Sequence, residues 1–154
     1  LMQLGFLAFE VGFVEQIWIN SIIIKNIEDT IVGTITYVLF THTMAASKTV
    51  WGGVIGSFDQ IFLFNTSKSE HEGIFISAMY AVTCATIISG AVLERMKNSA
   101  YVAFTFYVML INYSIAACWA WNPNSWLGKL GFVDCAGSFV VHGVGGITSL
   151  VGCY

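Results

Sequence analysis

The chain has 154 residues, 56% of them hydrophobic and 10% charged, with a formal net charge of −3. A water-soluble domain of this length needs far more charge to cover its surface, so the composition excludes an ordinary soluble fold and points to a polytopic membrane protein. No basic run exists, which removes nucleic acid from the candidate partners.

A membrane-crossing helix takes about 20 mostly apolar residues. Residues 1–13 (LMQLGFLAFEVGF) read as the back end of a first helix. Residues 22–46 form the second; its front, IIIKNIED, is polar, so its apolar part is 30–45. Residues 73–93 and 99–119 are the third and fourth, both uncharged. Residues 132–154 are the fifth, with Asp134 in its first turn. The expectation is an all-α polytopic membrane protein with about five transmembrane helices. The chain begins at Leu1 and ends at Tyr154 inside apolar stretches, as expected of a piece cut within a helix at both ends.

The linkers set the orientation. The stretch 94–98 (ERMKN) is short and basic, and the positive-inside rule assigns it to the cytoplasm. The long polar-aromatic loop 47–72 and the Trp-rich turn 121–131 (WNPNSWLGKLG) then lie outside. Lys25, Arg95 and Lys97 fall inside, while Lys48, Lys68 and Lys129 fall outside, so closeness of Arg95 and Lys97 to helix ends decides. Asn65-Thr66-Ser67 is a glycosylation sequon in the outer loop. A second sequon at Asn112 lies mid-helix, where no glycan could be attached.

The fifth helix carries the chemistry. Asp134, Ser138, His142, Gly145, Ser149 and Gly152 follow helical spacing and predict one face, small except for its two ionisable groups. Small residues allow another helix or a narrow pore to come close. An ionisable side chain inside a spanning helix costs a few kcal/mol, roughly, so it faces the bundle interior with a partner or a task. His142 is therefore a candidate functional residue, the alternative being a structural hydrogen bond between helices. A neutral imidazole can donate and accept at once, which suits a small polar solute or a proton relay. Asp134 is either an N-terminal cap of its helix or a direct cation contact. Trp121 is either an interfacial anchor or a cation–π face. Tyr80 is either core packing or a second aromatic wall. Glu10, in the first helix, needs a partner. Cys84, Cys118, Cys135 and Cys153 show no metal or redox spacing and read as small core residues.

Four segments, in order, resemble the ammonium transporters of the Amt/Mep/Rh superfamily. MQLGFLAFEVGFVE is similar to the first-helix motif of that family. INSIIIKNIEDTIVG resembles its approach to the second helix. ATIISGAVLERMK resembles T-I-x-S-G-A-x-x-E-R, and VDCAGSFVVHGVGGITSLVG resembles D-F-A-G-x-x-V-V-H-x-x-x-G. The resemblance implies the first half of an eleven-helix fold, with residues 1–154 as a partial ammonium transporter domain. It implies ammonium and ammonia as the solute, a homotrimer in a lipid membrane, the plasma membrane as location, and no cofactor, metal or enzymatic activity. It assigns His142 to the first of two pore histidines and Asp134 to the neighbourhood of the external recruitment site. Trp121 falls on the Trp that receives the ion in the Amt/Mep branch, and Tyr80 falls where a gating Phe stands. Cys135 stands where Phe is common, and the turn after Trp121 is one residue longer than usual.

Besides a truncated, non-functional fragment, two other readings compete. One is a sensor or regulatory membrane protein that binds ammonium without carrying flux. The other is a redox membrane enzyme with His142 as a cofactor ligand. That reading needs a second His or Cys nearby, and the other histidines are His42 and His71.

Overall fold

A computed structural model describes residues 1–63, 66–67 and 70–154. Asn65 of the outer sequon and Lys68 lie outside the described residues. Helix α1 runs Met2–Phe13, followed by a 3-10 turn Gln16–Trp18. Helix α2 (Ile19–Thr36) widens into a π turn, Tyr37–Thr41, and continues as α3 (His42–Ala46). After a loop comes α4, His71–Val92. Helix α5 (Asn98–Tyr107) passes through a second π turn, Val108–Tyr113, into α6 (Ser114–Trp121). A short α7 spans Trp126–Lys129. The last segment begins as a π turn, Ser138–Gly143, and ends as α8, Val144–Gly152.

Among the described residues, two segments are long and apolar enough to cross a membrane: α4 and the one that starts at Asn98. Met2–Phe13 and Ser138–Gly152 are shorter apolar helices. The Ile19–Ala46 run is more polar, with Lys25, Glu28 and Asp29 in its first half.

Within the loop 47–72, β1 (Thr49–Val50) and β2 (Ile55–Gly56) form an antiparallel hairpin in the register Thr49↔Gly56. One local expectation needs correction: the fifth helix starts at Ser138, not at residue 132. Gly137 adopts a left-handed conformation, φ +80°, and stops the helix from extending upstream. Asp134 sits before that break. Its carboxylate accepts from the N–H groups of Ser138 (2.8 Å), Phe139 (3.2 Å) and Val140 (3.0 Å). These are among the donors that a helix start leaves without an internal partner. Asp134 is thus a cap outside the helix rather than a first-turn residue within it.

Helix α4 is the hub. It is apolar nearly all round, and α1, α2 and α8 pack on it along with the second and third π turns. Small residues make the close approaches. A Cβ on Gly145 would lie 3.0 Å from Ile87 and 3.3 Å from the Cys84 carbonyl, so α8 meets α4 almost backbone to backbone. Ser149 on the same side donates to the Ile87 carbonyl at 3.3 Å. At the start of α4, Glu70 accepts from the Ser67 N–H at 2.6 Å, and that bond holds its carboxyl below the usual range.

The predicted small face of the fifth helix is divided. Gly145 is buried against α4, with Ser149 and Gly152 half-buried beside it, whereas Ser138 and His142 are exposed. The π turn accounts for the division. Its wider winding shifts residues 138–143 out of register with the α-helical spacing that groups all six residues on one face.

The Glu94–Asn98 end of the bundle is stitched by buried polar groups. Asn26 Nδ2 donates to Glu10 Oε2 (2.7 Å) and the Ser89 hydroxyl donates to Glu10 Oε1 (2.9 Å), which supplies the partners that Glu10 needs. Lys25 Nζ donates to the carbonyls of Leu93 (2.7 Å) and Met96 (2.9 Å), capping the end of α4 with a positive charge. It also lies 5.4 Å from the Tyr101 ring centroid. The Tyr101 hydroxyl donates to Asp29 Oδ1 at 2.6 Å. Arg95 bonds the Cys153 carbonyl, tying the end of α4 to the end of α8.

Candidate functional site

The opposite, loop-bearing end has a different construction. The hairpin and the Trp-rich turn are fastened to each other. Trp119 Nε1 donates to the Val54 carbonyl (2.8 Å), the Trp126 N–H to Gly53 O (3.1 Å), and Thr49 Oγ1 to Asn124 O (3.1 Å). Buried Asn122 donates to the carbonyls of Ala45 and Ser47, at 3.1 and 2.9 Å. These bonds put both loops at one end of the bundle, as the orientation reading requires.

Within this rim Trp121 ends α6 with its indole half-turned to the surface. Its Nε1–H donates to the Asp134 backbone carbonyl at 2.9 Å. Its ring centroid lies 6.0 Å from that of Tyr80, with the planes 54° apart. Tyr80 comes from α4, so two helices and the cap loop supply one aromatic wall. Ser77, Tyr80, Trp121, Cys135 and Ala136 line an open cleft of about 270 Å³. Asp134 contributes its carbonyl to the positioning of Trp121, while its carboxylate faces the helix N–H groups.

His142 follows in the π turn, exposed along the unpartnered side of the last helix together with Gly146, Ile147 and Leu150. The structure therefore joins Tyr80, Trp121 and Asp134 in one place and sets His142 on the helix that Asp134 caps. Ser77 is a cleft residue that the sequence reading passes over. Its signal is present: it lies three residues before Tyr80, on the same face of α4. Cys135 also departs from the core reading, being exposed in the cleft, whereas Cys84 and Cys118 are buried. No group of three or more His, Cys, Asp or Glu side chains suited to a metal occurs among the described residues.

The sequence pattern of the Ammonium Transporter Family matches residues 1–154. The chain belongs to that family. It is 35% identical over 153 residues to Ammonium transporter 3 of Dictyostelium discoideum, covering 99% of this chain and 35% of that protein. It is 34% identical to Ammonium transporter Amt2 of Archaeoglobus fulgidus, covering 97% and 34% respectively. The chain thus spans about a third of the length of the curated ammonium transporters it matches. Among solved structures it is similar to a Sensor Amt Protein, with a TM-score of 0.90 and 32% identity over 97% of this chain and 39% of that one. It also resembles Mep2 of Saccharomyces cerevisiae, with a TM-score of 0.75 and 26% identity over 82% of this chain and 30% of that one. The helical bundle described above is the Amt/Mep fold over the part these chains share.

Proposed function

We propose that this chain supplies one side of an ammonium-conducting pore in a lipid membrane, the plasma membrane being the expected site. The Tyr80–Trp121 pair over an open cleft is the observation that carries the reading. Two electron-rich ring faces recruit ammonium by cation–π attraction, worth about 0.5–2 kcal/mol depending on desolvation. The bare ion is too costly to move into hydrocarbon. It releases one proton to solvent at the cleft, and the neutral ammonia enters. His142 then offers a hydrogen-bonding imidazole to ammonia along the exposed side of the last helix, and pore width with fixed hydrogen-bond geometry supplies selectivity. Asp134 holds the geometry by capping that helix and by receiving the Trp121 N–H. A homotrimer is expected from the family.

The test is flux in proteoliposomes carrying the full-length protein. His142→Ala is expected to lose ammonium selectivity or electrogenic uptake. Unchanged uptake with no gain in potassium leak sinks the pore role of His142.

A second reading is favoured by the name of one solved relative, a Sensor Amt Protein. On that reading the same cleft binds ammonium and reports it without flux. Calorimetric binding of ammonium that Trp121→Leu abolishes, in vesicles that show no transport, selects the sensor over the transporter.

A further inference from the structure

Two π turns meet part-way along the bundle. Tyr37–Thr41 packs on Val108–Tyr113. The Thr41 hydroxyl donates to the Met109 carbonyl at 3.0 Å, tying one widened turn to the other. Such turns are rare in helices and concentrate at functional sites. At this junction the Tyr37 and Tyr113 rings stand nearly edge-on, 6.4 Å between centroids. Tyr113 is 0% exposed, and its hydroxyl has no hydrogen-bond partner. The His42 ring lies 6.1 Å from Tyr37, and its buried Nδ1 is also without a partner. Two unsatisfied polar atoms therefore flank one tyrosine.

A buried hydroxyl with no partner is costly, and folded proteins resolve nearly all such groups with a protein atom or a bound molecule. The junction adjoins the aromatic cleft. Ser77 lines the aromatic cleft and lies beside the Tyr37 hydroxyl.

We propose that the Tyr37–Tyr113 junction is a second binding site, one step behind the cleft, for a single neutral, water-sized hydrogen-bonding molecule. The Tyr113 hydroxyl is its main partner, with Tyr37 and Ser77 on the side of the cleft. Hydroxyls and an imidazole suit a neutral guest that both donates and accepts. Water and ammonia share that chemistry. The site follows from the geometry alone; ammonia as its guest in the loaded protein rests on the transport reading.

The deciding experiment is a pair of cryo-EM maps of the full-length protein in nanodiscs, without and with ammonium chloride, repeated for Tyr113→Phe. The expected result is a density about 3 Å from Tyr113 Oη that the Phe variant lacks. Density in both maps assigns water, and density only with ammonium assigns ammonia; either supports the site. Absence from both maps overturns it. Thermal unfolding supplies an independent readout. Loss of a satisfied hydroxyl is expected to lower Tm in Tyr113→Phe by about 2–4 °C. An unchanged or raised Tm, the behaviour of a hydroxyl that was never satisfied, overturns the site as well. Density without ammonium flux keeps the site while removing the transport reading, so the two failures are distinguishable.

Discussion

The two ends of this bundle use polar groups in opposite ways. At the Glu94–Asn98 end, Glu10, Lys25, Asn26, Asp29 and Tyr101 are buried and bonded to one another or to helix carbonyls. At the loop end, Trp121 and Tyr80 stand half open over a cleft. The first arrangement spends most of its hydrogen bonds on fastening helices, although Asn26 Oδ1 and Asp29 Oδ2 remain without a partner. The second keeps its capacity available to something from solution. Substitutions at the first end should therefore read out as stability, and those at the second as binding.

The sharpest break is expected from Lys25→Met. It removes two charge-assisted bonds and leaves the Leu93 and Met96 carbonyls without their donor, a loss of about 3 kcal/mol. Thermal unfolding of the purified protein should show a large drop in Tm, with ammonium affinity unchanged in whatever fraction remains folded. A wild-type Tm would mean that the buried network is ornamental. Asp134→Ala comes next and tests the boundary of the comparison, because Asp134 belongs to the loop end yet acts as a cap. Its loss is expected to cost about 1–2 kcal/mol, with Asn, which keeps one acceptor oxygen, recovering part of it. If Asn behaves like Ala, the cap is not what Asp134 contributes. Trp121→Leu should leave Tm nearly unchanged and weaken ammonium binding about 2- to 30-fold, the range that a lost cation–π contact allows. A large fall in Tm with full affinity would reverse the assignment of this end. The smallest effect on stability is expected from His142→Ala, within about 0.5 kcal/mol, because its side chain is exposed. Unfolding in denaturant checks it.

Much of the architecture is legible in the chain itself. Beyond Glu72 in its first turn, helix α4 is uncharged and mostly apolar, so its central position follows from composition. The polar front of α2 announces that something must satisfy Lys25 and Asp29. What satisfies them is not legible, since Lys25 bonds main-chain carbonyls 68 and 71 positions away and a carbonyl carries no residue signature. The same holds for the cleft. Tyr80 and Trp121 lie on different helices, and periodicity cannot relate them; only the resemblance to ammonium transporters pairs them. The π turns escape too. They depend on how helices pack against each other, and the 3.6-residue template assumes them away, which is why His142 and Gly145 read as one face. Gly137 was the available clue, since a glycine between a capping Asp and a Ser marks a start more sharply than an apolar window does.

The fastened rim carries a consequence for how such a chain is made. Val54 leaves the ribosome long before Trp119, and their bond forms only if both emerge on the same side of the bilayer. A fourth helix inserted upside down would strand the hairpin on one side and the tryptophans on the other. Closure of the rim thus requires that the helices have been threaded in the correct sense.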